Sequence, residues 1–366
     1  MASRHQGRTT ETPRARYLVL LGLGAAALMV LILAARLGGL SGLLTVGESV
    51  PIRSLIEEEL PDVTIHAATG HDGQYFYAIA RDPFASGPTP DLLRLPSYRY
   101  RRIGFPLVAG GIGTFSPETT VAGMLVLAMA GFGMSVVATY RLAWRESLPS
   151  WVAPLAAASL PALLSVRFLM ADSLALGLGL LGILWFVEGR DKAALVALAL
   201  AALTKETYLL IPLAMAASII HADRHSPDSR RRALWYVVWP TLPVTLWSTF
   251  LVVRLGWGDQ ALNNLEWPFV GIIESIARWD QAPGREVAFA IFAMVTVALA
   301  VTVVVLVRDR MLAWLILPWV ALMVISSDLI WAFGNNALRV AAPLWTLGVL
   351  GLGTYVARTS RRNLPV

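Results

Sequence analysis

The stretch YLVLLGLGAAALMVLILAA fills positions 17–35 without a charged side chain. A helix of about 20 such residues crosses the hydrocarbon core of a bilayer. The run is longer than the roughly 7–15 apolar residues of a signal peptide, so it predicts an uncleaved first transmembrane helix. Residues 1–16 are polar and carry a set of basic side chains, Arg4, Arg8, Arg14 and Arg16. These residues are therefore predicted to form a cytoplasmic N-terminal tail.

The rest of the chain has the composition of a membrane protein. Hydrophobic residues make up 56% of the 366 positions and charged residues only 15%, whereas soluble domains carry about 25% charged residues. The net charge of +6 comes from short arginine clusters between apolar runs, so nucleic acid is not expected as a partner. The chain has no cysteine, which excludes disulfides, thiolate metal sites and cysteine nucleophiles.

Further apolar runs predict an all-α polytopic membrane protein with about ten transmembrane helices. After 17–35, the predicted spans are 119–140, 151–166, 168–187, 193–203, 207–220, 234–253, 287–307, 311–333 and 340–356. The run 103–115 is short and contains Pro106 and several glycines, so we expect a re-entrant or interfacial segment that does not cross. The runs together predict one integral membrane domain, 17–357, followed by a cytoplasmic tail, 358–366.

The basic residues support this span count. With ten spans, the basic clusters all lie on the same side of the membrane as the N-terminus. These clusters are at 141–145, 190–192, 224–232, 308–310 and 358–362. Cytoplasmic loops carry an excess of arginine and lysine, so this side and both termini are predicted to be cytoplasmic. The external segments are then the long first loop 36–102, the turn 204–206, the loop 254–286 and the segment 334–339.

The external loop 36–102 is predicted to carry the functional site. Its segment 69–83, TGHDGQYFYAIARDP, places an acid, an amide and a histidine beside glycines and aromatic residues. The stretch 50–60 is acidic and amphipathic, and 74–81 is predicted to form a short helix suited to the membrane interface. Asp72 is the candidate general base, because a carboxylate at the membrane surface can accept a proton. The alternative is that Asp72 caps the following helix by accepting backbone N–H bonds.

Other residues of this segment are candidates for substrate contact. His71 and Gln74 are expected to orient substrate hydroxyl groups beside the acid. Gly70 and Gly73 are expected to let the backbone come close to a ligand.

A metal site is only weakly indicated. His66, His71 and Asp72 could form part of one, so no metal ligand is assigned while a divalent cation stays an open alternative. The sequence contains no glycine-rich phosphate loop, Gly-x-Ser-x-Gly elbow or His-Glu-x-x-His motif.

A dense cationic patch follows the loop segment. It consists of Arg99, Arg101 and Arg102 and lies just before the next apolar run. Because a guanidinium fork binds two phosphate oxygens, the patch is a candidate site for a lipid phosphate. The alternative is an interfacial anchor, with Tyr98 and Tyr100 as aromatic residues at the headgroup level.

Charged residues also interrupt later apolar runs, where they are costly and therefore candidates for function. Lys205 and Glu206 divide what would otherwise be one apolar run, and both are assigned to the site. The alternative is a simple external turn in which these neighbours neutralise each other. Asp172 is expected to pair with Lys205 or with Arg339, which is also assigned to substrate binding.

This arrangement resembles the GT-C superfamily of integral membrane glycosyltransferases. The run GHDGQYFYAIARDP at 70–83 is similar to the Asp-Gly-Gln segments of bacterial GT-C-like proteins associated with cell-surface glycopolymers. The turn LTKET at 203–207 is similar to the Thr-Lys turn of protein mannosyltransferase and aminoarabinose transferase relatives. Many members carry two adjacent acids, whereas Gly73 follows Asp72 here.

The resemblance implies an enzyme of the cytoplasmic membrane. Its sugar donor would be linked to polyprenyl phosphate, and its acceptor would be a glycan, a lipid or a protein at the outer face, among membrane lipids. By position, the role of the first-loop catalytic base falls on Asp72. Two alternatives stay open: a transporter or flippase of a lipid-linked glycan or other anionic solute, and an assembly factor with a degenerate site.

Overall fold

The computed structural model describes residues 13–67, 69–256 and 264–362. Almost all of the regular structure is α-helix, which confirms the predicted all-α class. The described residues contain only two short strands, β1 (Val46–Gly47) and β2 (Ile65–His66), which pair in parallel. Most of the predicted N-terminal tail, 1–12, and the end of the C-terminal tail, 363–366, lie outside the described residues.

The first part of the chain contains one long helix followed by several short ones. These helices are α1 (Pro13–Arg36), α2 (Arg53–Glu59), α3 (Asp72–Arg81), α4 (Thr89–Leu92), α5 (Pro96–Tyr100) and α6 (Gly104–Ile112). The loop 36–102 therefore carries short helices, as predicted. At about 1.5 Å per residue, α6 is far shorter than a bilayer core, in agreement with the expectation that 103–115 does not cross.

The later helices form the main bundle. Their bounds are α7 (Pro117–Arg145), α8 (Val152–Ala157), α9 (Leu160–Arg167), α10 (Asp172–Val187), α11 (Asp191–Thr204), α12 (Leu210–Ala222), α13 (Pro227–Leu255), α14 (Val270–Ile276), α15 (Gly284–Val307), α16 (Arg310–Val324), α17 (Asp328–Trp331), α18 (Gly334–Val340) and α19 (Ala342–Arg362). Short 3₁₀ turns occupy Ser41–Leu44 and Glu206–Leu209.

Several of these helices are suited to a membrane, but the count of ten spans is not confirmed. Three described helices, α7, α13 and α15, are long and apolar enough to cross, and α18 with α19 could form a fourth span bent by 53°. The predicted span 151–166 is divided into α8 and α9, and 311–333 already ends its main helix at Val324. Apolar composition alone did not reveal these breaks, because the residues at them are themselves small or apolar.

The helix α10 is fixed against α7 in a way that positions its first residue. Ser173 donates from its hydroxyl to the backbone carbonyl of Ala128 in α7 at 2.9 Å. The hydroxyl of Ser165 in α9 accepts from the Ser173 backbone N–H at 2.9 Å. These bonds hold the start of α10, and with it Asp172, inside the bundle.

Ion pairs define the two ends of the bundle. At one end Arg141 pairs with Glu188 at 2.7 Å, Arg232 with Asp191 at 2.7 Å and Arg358 with Asp309 at 3.4 Å. These contacts bring together the ends of α7, α10, α11, α13, α16 and α19, so these basic clusters share one end, as the sequence predicted. Asp172 at the start of α10 and Lys205 after α11 lie at the opposite end.

Candidate functional site

Arg339 in α18 lies at the centre of a buried network of charges. Its Nε donates to Oδ2 of Asp172 at 2.9 Å, and its Nη2 donates to Oδ2 of Asp72 at 2.8 Å. Lys205 completes the network by donating to Oδ1 of Asp172 at 2.6 Å. Asp172 is 3% exposed and Arg339 8% exposed, so the pair between them is shielded from water. The side chain of Asp72 is 27% exposed. Both partners predicted for Asp172 are thus confirmed.

Asp72 is brought to this network by the start of α3. The helix follows His71, whose backbone is extended, and Asp72 stands in the first helical turn, where an acid complements the helix dipole. The carboxylate of Asp72 pairs with Arg339 and, at 3.5 Å, with Arg99. In the described structure no side chain caps α3, so the interpretation of Asp72 as a helix cap is wrong.

The arginines control the charge state of Asp72. Burial opposes its ionisation, but the charges of Arg339, Arg99 and Arg102 outweigh burial and hold the pKa of this carboxyl well below its usual range. Asp72 is therefore a firmly charged group in this state. A carboxylate with such a low pKa is a weak proton acceptor until one of its cationic partners is engaged elsewhere.

Arg99 and Arg102 of the predicted arginine patch contact residues of the same site. The guanidinium group of Arg99 stacks over the ring of Tyr75, with its carbon 3.4 Å from the ring centre. Arg102 donates to both oxygens of Glu206, from Nε at 3.1 Å and from Nη2 at 3.3 Å. Arg101, which lies between them in sequence, is half-buried.

Lys205 and Glu206 do not neutralise each other as the alternative proposed. Lys205 pairs with Asp172 at 2.6 Å, whereas Glu206 pairs with Arg102 at 3.1 Å. The two charged residues of the turn between α11 and α12 therefore pair with different partners. Through the pair of Glu206 with Arg102, this turn connects the arginine patch to the bundle.

Gln74 is not available to a substrate in this structure. It is fully buried, its Oε1 accepts from the backbone N–H of Gly47 at 3.0 Å, and its Nε2 donates to the carbonyl of Thr69 at 2.9 Å. Both ends of the amide are thus used to hold the loop. The expectation that Gln74 orients a substrate hydroxyl is therefore corrected to a role in positioning the segment before Asp72.

His71 packs beside the bundle. Its ring lies 3.8 Å from that of Phe168, measured between ring centres. Burial, followed by the charge of Arg339, lowers the pKa of His71 to about 4, so its imidazole is neutral near pH 7. A neutral imidazole can donate or accept a hydrogen bond, and the predicted contact of His71 with a substrate hydroxyl stays a prediction.

The glycines beside Asp72 serve the protein's own backbone. Gly70 has a φ of +71°, and a Cβ there would lie 2.5 Å from the carbonyl oxygen of Thr45. A Cβ on Gly73 would clash with the carbonyl oxygen of Phe168. The close approach that was expected for a ligand is therefore made by neighbouring chain segments, which seat the start of α3.

The weak metal prediction at His66, His71 and Asp72 finds no matching group of ligands. Among the described residues, the cluster with suitable spacing is instead Glu266, Glu274 and Asp328, whose ligand atoms lie within 4.8 Å of one another. Arg278 pairs with two members of that cluster, with Asp328 at 2.8 Å and with Glu274 at 3.5 Å. The surroundings of Asp72 are rich in arginine, which disfavours a cation there.

Asp172 lies inside the site, although the sequence indicates it only as a partner for Lys205 or Arg339. Its place between both cations does not follow from its position alone. The available signal was a carboxylate in an apolar run, which is costly without a partner. Two charged partners, rather than one, compensate this burial.

The assembled site carries more positive than negative charge. Its cations are Arg99, Arg102, Lys205 and Arg339, and its carboxylates are Asp72, Asp172 and Glu206. These residues come from four distant parts of the chain. An excess of positive charge in a site that is largely shielded from water favours an anionic ligand. The planar guanidinium forks of the arginines favour an oxyanion such as phosphate, of which they can bind two oxygens at once.

No family model, curated protein or solved structure matches this chain.

Proposed function

We propose that the protein is a membrane glycosyltransferase of the GT-C type. It transfers a sugar from a polyprenyl-phosphate donor to a glycan, lipid or protein acceptor at the outer face of the cytoplasmic membrane. The observation that carries this proposal is a charged network at one end of an apolar helical bundle. In it Asp72 pairs with Arg339 and Arg99, and Arg339 connects Asp72 to Asp172 and its partner Lys205. One site then holds a carboxylate for the acceptor and cations for the donor phosphate.

In the proposed reaction, the hydroxyl oxygen of the acceptor attacks the anomeric carbon of the donor sugar. Asp72 takes the hydroxyl proton as general base. The bond between the anomeric carbon and the phosphate oxygen breaks, and its electron pair stays on the departing polyprenyl phosphate. Attack from the face opposite the phosphate inverts the anomeric configuration.

The cations act on the phosphate in two ways. Arg99, Arg102 and Lys205 stabilise the negative charge that develops on the leaving oxygen. The donor phosphate also competes with Asp72 for Arg339 and Arg99. When it engages these guanidinium groups, they no longer depress the pKa of Asp72, and the carboxylate becomes a better proton acceptor. Donor binding thus activates the base.

The proposal includes a membrane orientation. The end with Arg141, Arg232 and Arg358 faces the cytoplasm because basic residues collect on that side. The end with Asp72 then faces outward, where a lipid phosphate would meet it at the headgroup level. About ten spans with short or broken helices, in a GT-C-like arrangement, are part of the same proposal.

Two measurements test the proposal. Purified protein is incubated with a panel of polyprenyl-phosphate hexoses and pentoses together with a membrane extract that supplies acceptor hydroxyl groups. The expected result is release of polyprenyl phosphate with transfer of the sugar to the extract. Farnesyl phosphate, which lacks the sugar, is expected to bind the wild type and to bind Arg102→Ala at least about tenfold more weakly. If the protein neither releases polyprenyl phosphate nor binds farnesyl phosphate, the proposal is overturned.

A transporter or flippase of an anionic lipid-linked glycan is the second candidate. Transporters bind substrates at discontinuous helices, and here Arg339 stands just before the 53° bend between α18 and α19. In liposomes, such a protein would move the intact glycan lipid across the bilayer without releasing polyprenyl phosphate. Detecting that movement without sugar release would favour this candidate over the enzyme.

A further inference from the structure

A second feature lies at the opposite end of the bundle from Asp72. A groove of about 870 Å³ opens between α12, α13 and α16. This volume falls within the range of roughly 300–1,000 Å³ typical of sites for small organic ligands. The groove is formed only by described residues, and none of them belongs to the charged site around Arg339.

The wall of the groove is apolar. Leu213, Ile220, Leu234 and Trp314 line it, and each is at least 37% exposed. Large apolar side chains left open in a concave surface gain free energy when an apolar group covers them. An acyl chain suits such a wall in a protein whose long helices are built for a membrane.

Three arginines, Arg224, Arg230 and Arg310, also line the groove. In the described part of the chain, no carboxylate forms an ion pair with any of them. Arg224 contacts the ring nitrogen of His225, and Arg230 donates from Nε to the backbone carbonyl of Arg224. The neighbouring Arg231 and Arg232 differ, because each pairs with an aspartate.

We propose that this groove binds one anionic membrane phospholipid. The headgroup phosphate lies among Arg224, Arg230 and Arg310, and an acyl chain covers the wall beside Leu213 and Trp314. The charge of the arginines complements the phosphate, and the planar guanidinium groups match its oxygens. The lipid fills a gap between three helices and is therefore expected to stabilise the bundle at this end. The proposal does not depend on the reaction at Asp72.

The test is native mass spectrometry of the full chain in a mild detergent. The protein is titrated with dioleoyl phosphatidylglycerol, which is anionic, and with dioleoyl phosphatidylcholine, which is zwitterionic. We expect one phosphatidylglycerol to bind about tenfold or more tightly than phosphatidylcholine. In Arg230→Gln/Arg310→Gln this preference is lost. The matched control, Arg145→Gln/Arg361→Gln, removes two exposed arginines at the same end and keeps it.

A third variant examines the apolar wall without changing charge. Ala217 lines the groove, and Ala217→Phe fills it, so both lipids should bind at least about fivefold more weakly. Equal binding of the two lipids by the wild type, or retained preference in the arginine variant, overturns the proposal. So does complete displacement of phosphatidylglycerol by inorganic phosphate, which would show a site for free anions. If Ala217→Phe does not fold, the arginine variant decides alone.

Discussion

Arg339 donates from Nη2 to Oδ2 of Asp72 over 2.8 Å, although 267 positions separate the two residues in the chain. The same guanidinium group donates from Nε to Asp172 at 2.9 Å. Arg339 thereby joins α3 of the first loop to α10 of the bundle. Removing one member of a buried ion pair leaves its partner uncompensated, so this residue should matter for stability as well as for function.

The first prediction concerns that bridge. Arg339→Gln leaves Asp72 and Asp172 short of one cation and should cost about 3–5 kcal/mol of folding free energy. Thermal denaturation of the purified protein measures the effect as a lower Tm. The matched control is Arg278→Gln, which breaks a pair with Asp328 whose arginine is 55% exposed; such pairs contribute about 0–1 kcal/mol. Equal Tm values for both variants would contradict the bridging role.

The second prediction concerns donor binding. Arg102→Ala and Lys205→Ala each remove a cation from the proposed phosphate site, and losing a charge-assisted hydrogen bond costs roughly 1.5–3 kcal/mol. The KM for a polyprenyl-phosphate donor should rise about tenfold or more in each variant. Arg102→Lys keeps the charge but loses the two-oxygen fork, so an intermediate KM is expected. Unchanged donor kinetics in both alanine variants would remove Arg102 and Lys205 from the site.

The third prediction is a pH dependence of stability that depends on His71. Its pKa is about 4 in the folded protein, against 6.5 for an unperturbed histidine. As the pH falls from about 6.5 towards 4, the unfolded state takes up the proton first, and folding free energy of roughly 1–3 kcal/mol is lost. Carboxyl groups with a lowered pKa, such as Asp72, add their loss only below this window.

The measurement for His71 is Tm between pH 7 and pH 4.5. His71→Phe keeps a ring against Phe168 but cannot titrate, so its Tm should fall less over this interval. His221→Gln, which replaces an exposed histidine, serves as the control and should behave like the wild type. A wild-type profile that stays flat, or one that His71→Phe reproduces, would show that His71 does not carry the dependence.

The fourth prediction concerns orientation in the membrane. The chain has no cysteine, so single cysteines at Ser86, Ser147 and Ser229 can be probed with an impermeant thiol reagent. Ser86→Cys lies at the end with Asp72 and should react in intact cells. Ser147→Cys and Ser229→Cys lie at the basic end and should react only after permeabilisation. Labelling of Ser229→Cys in intact cells, or absence of labelling of Ser86→Cys, would contradict the proposed topology.

Much of the site could be predicted from local rules of charge. Asp172 stands in an apolar run, where an unpaired carboxylate is costly, so the need for Lys205 or Arg339 followed from the sequence. The short helix at 74–81 followed equally from composition, and it forms as part of α3. In both cases the requirement is local: a carboxylate in an apolar run needs a charged partner, and the short helix follows from its own residues.

Other features depend on distant parts of the chain. Gln74 looked like a contact for substrate because it stands in a polar loop, but its Oε1 accepts from Gly47, 27 positions away. Arg99 stacks on Tyr75, and no spacing in the sequence shows that pairing. The number of spans was equally out of reach, because the apolar runs continue through breaks such as Ala158 and Ser159, between α8 and α9.

The last prediction concerns Asp72 itself. Asp72→Asn keeps the size of the side chain but cannot accept the proton of an acceptor hydroxyl. Loss of a general base typically lowers the rate by about 10²–10⁴-fold, so kcat for sugar transfer should fall by at least about two decades. The bundle should still assemble, because Arg339 keeps its bonds to Asp172.

The matched control for Asp72 is Glu59→Gln. Glu59 is an acid of the same loop that also pairs with an arginine, Arg81, at 2.9 Å. It lies outside the proposed reaction, so its kcat should stay near that of the wild type. Farnesyl phosphate should bind Asp72→Asn at least as well as the wild type, because Arg339 and Arg99 no longer share their charge with a carboxylate. A fully active Asp72→Asn protein would refute the assignment of Asp72 as the base, and weaker farnesyl phosphate binding would refute the competition between donor and carboxylate.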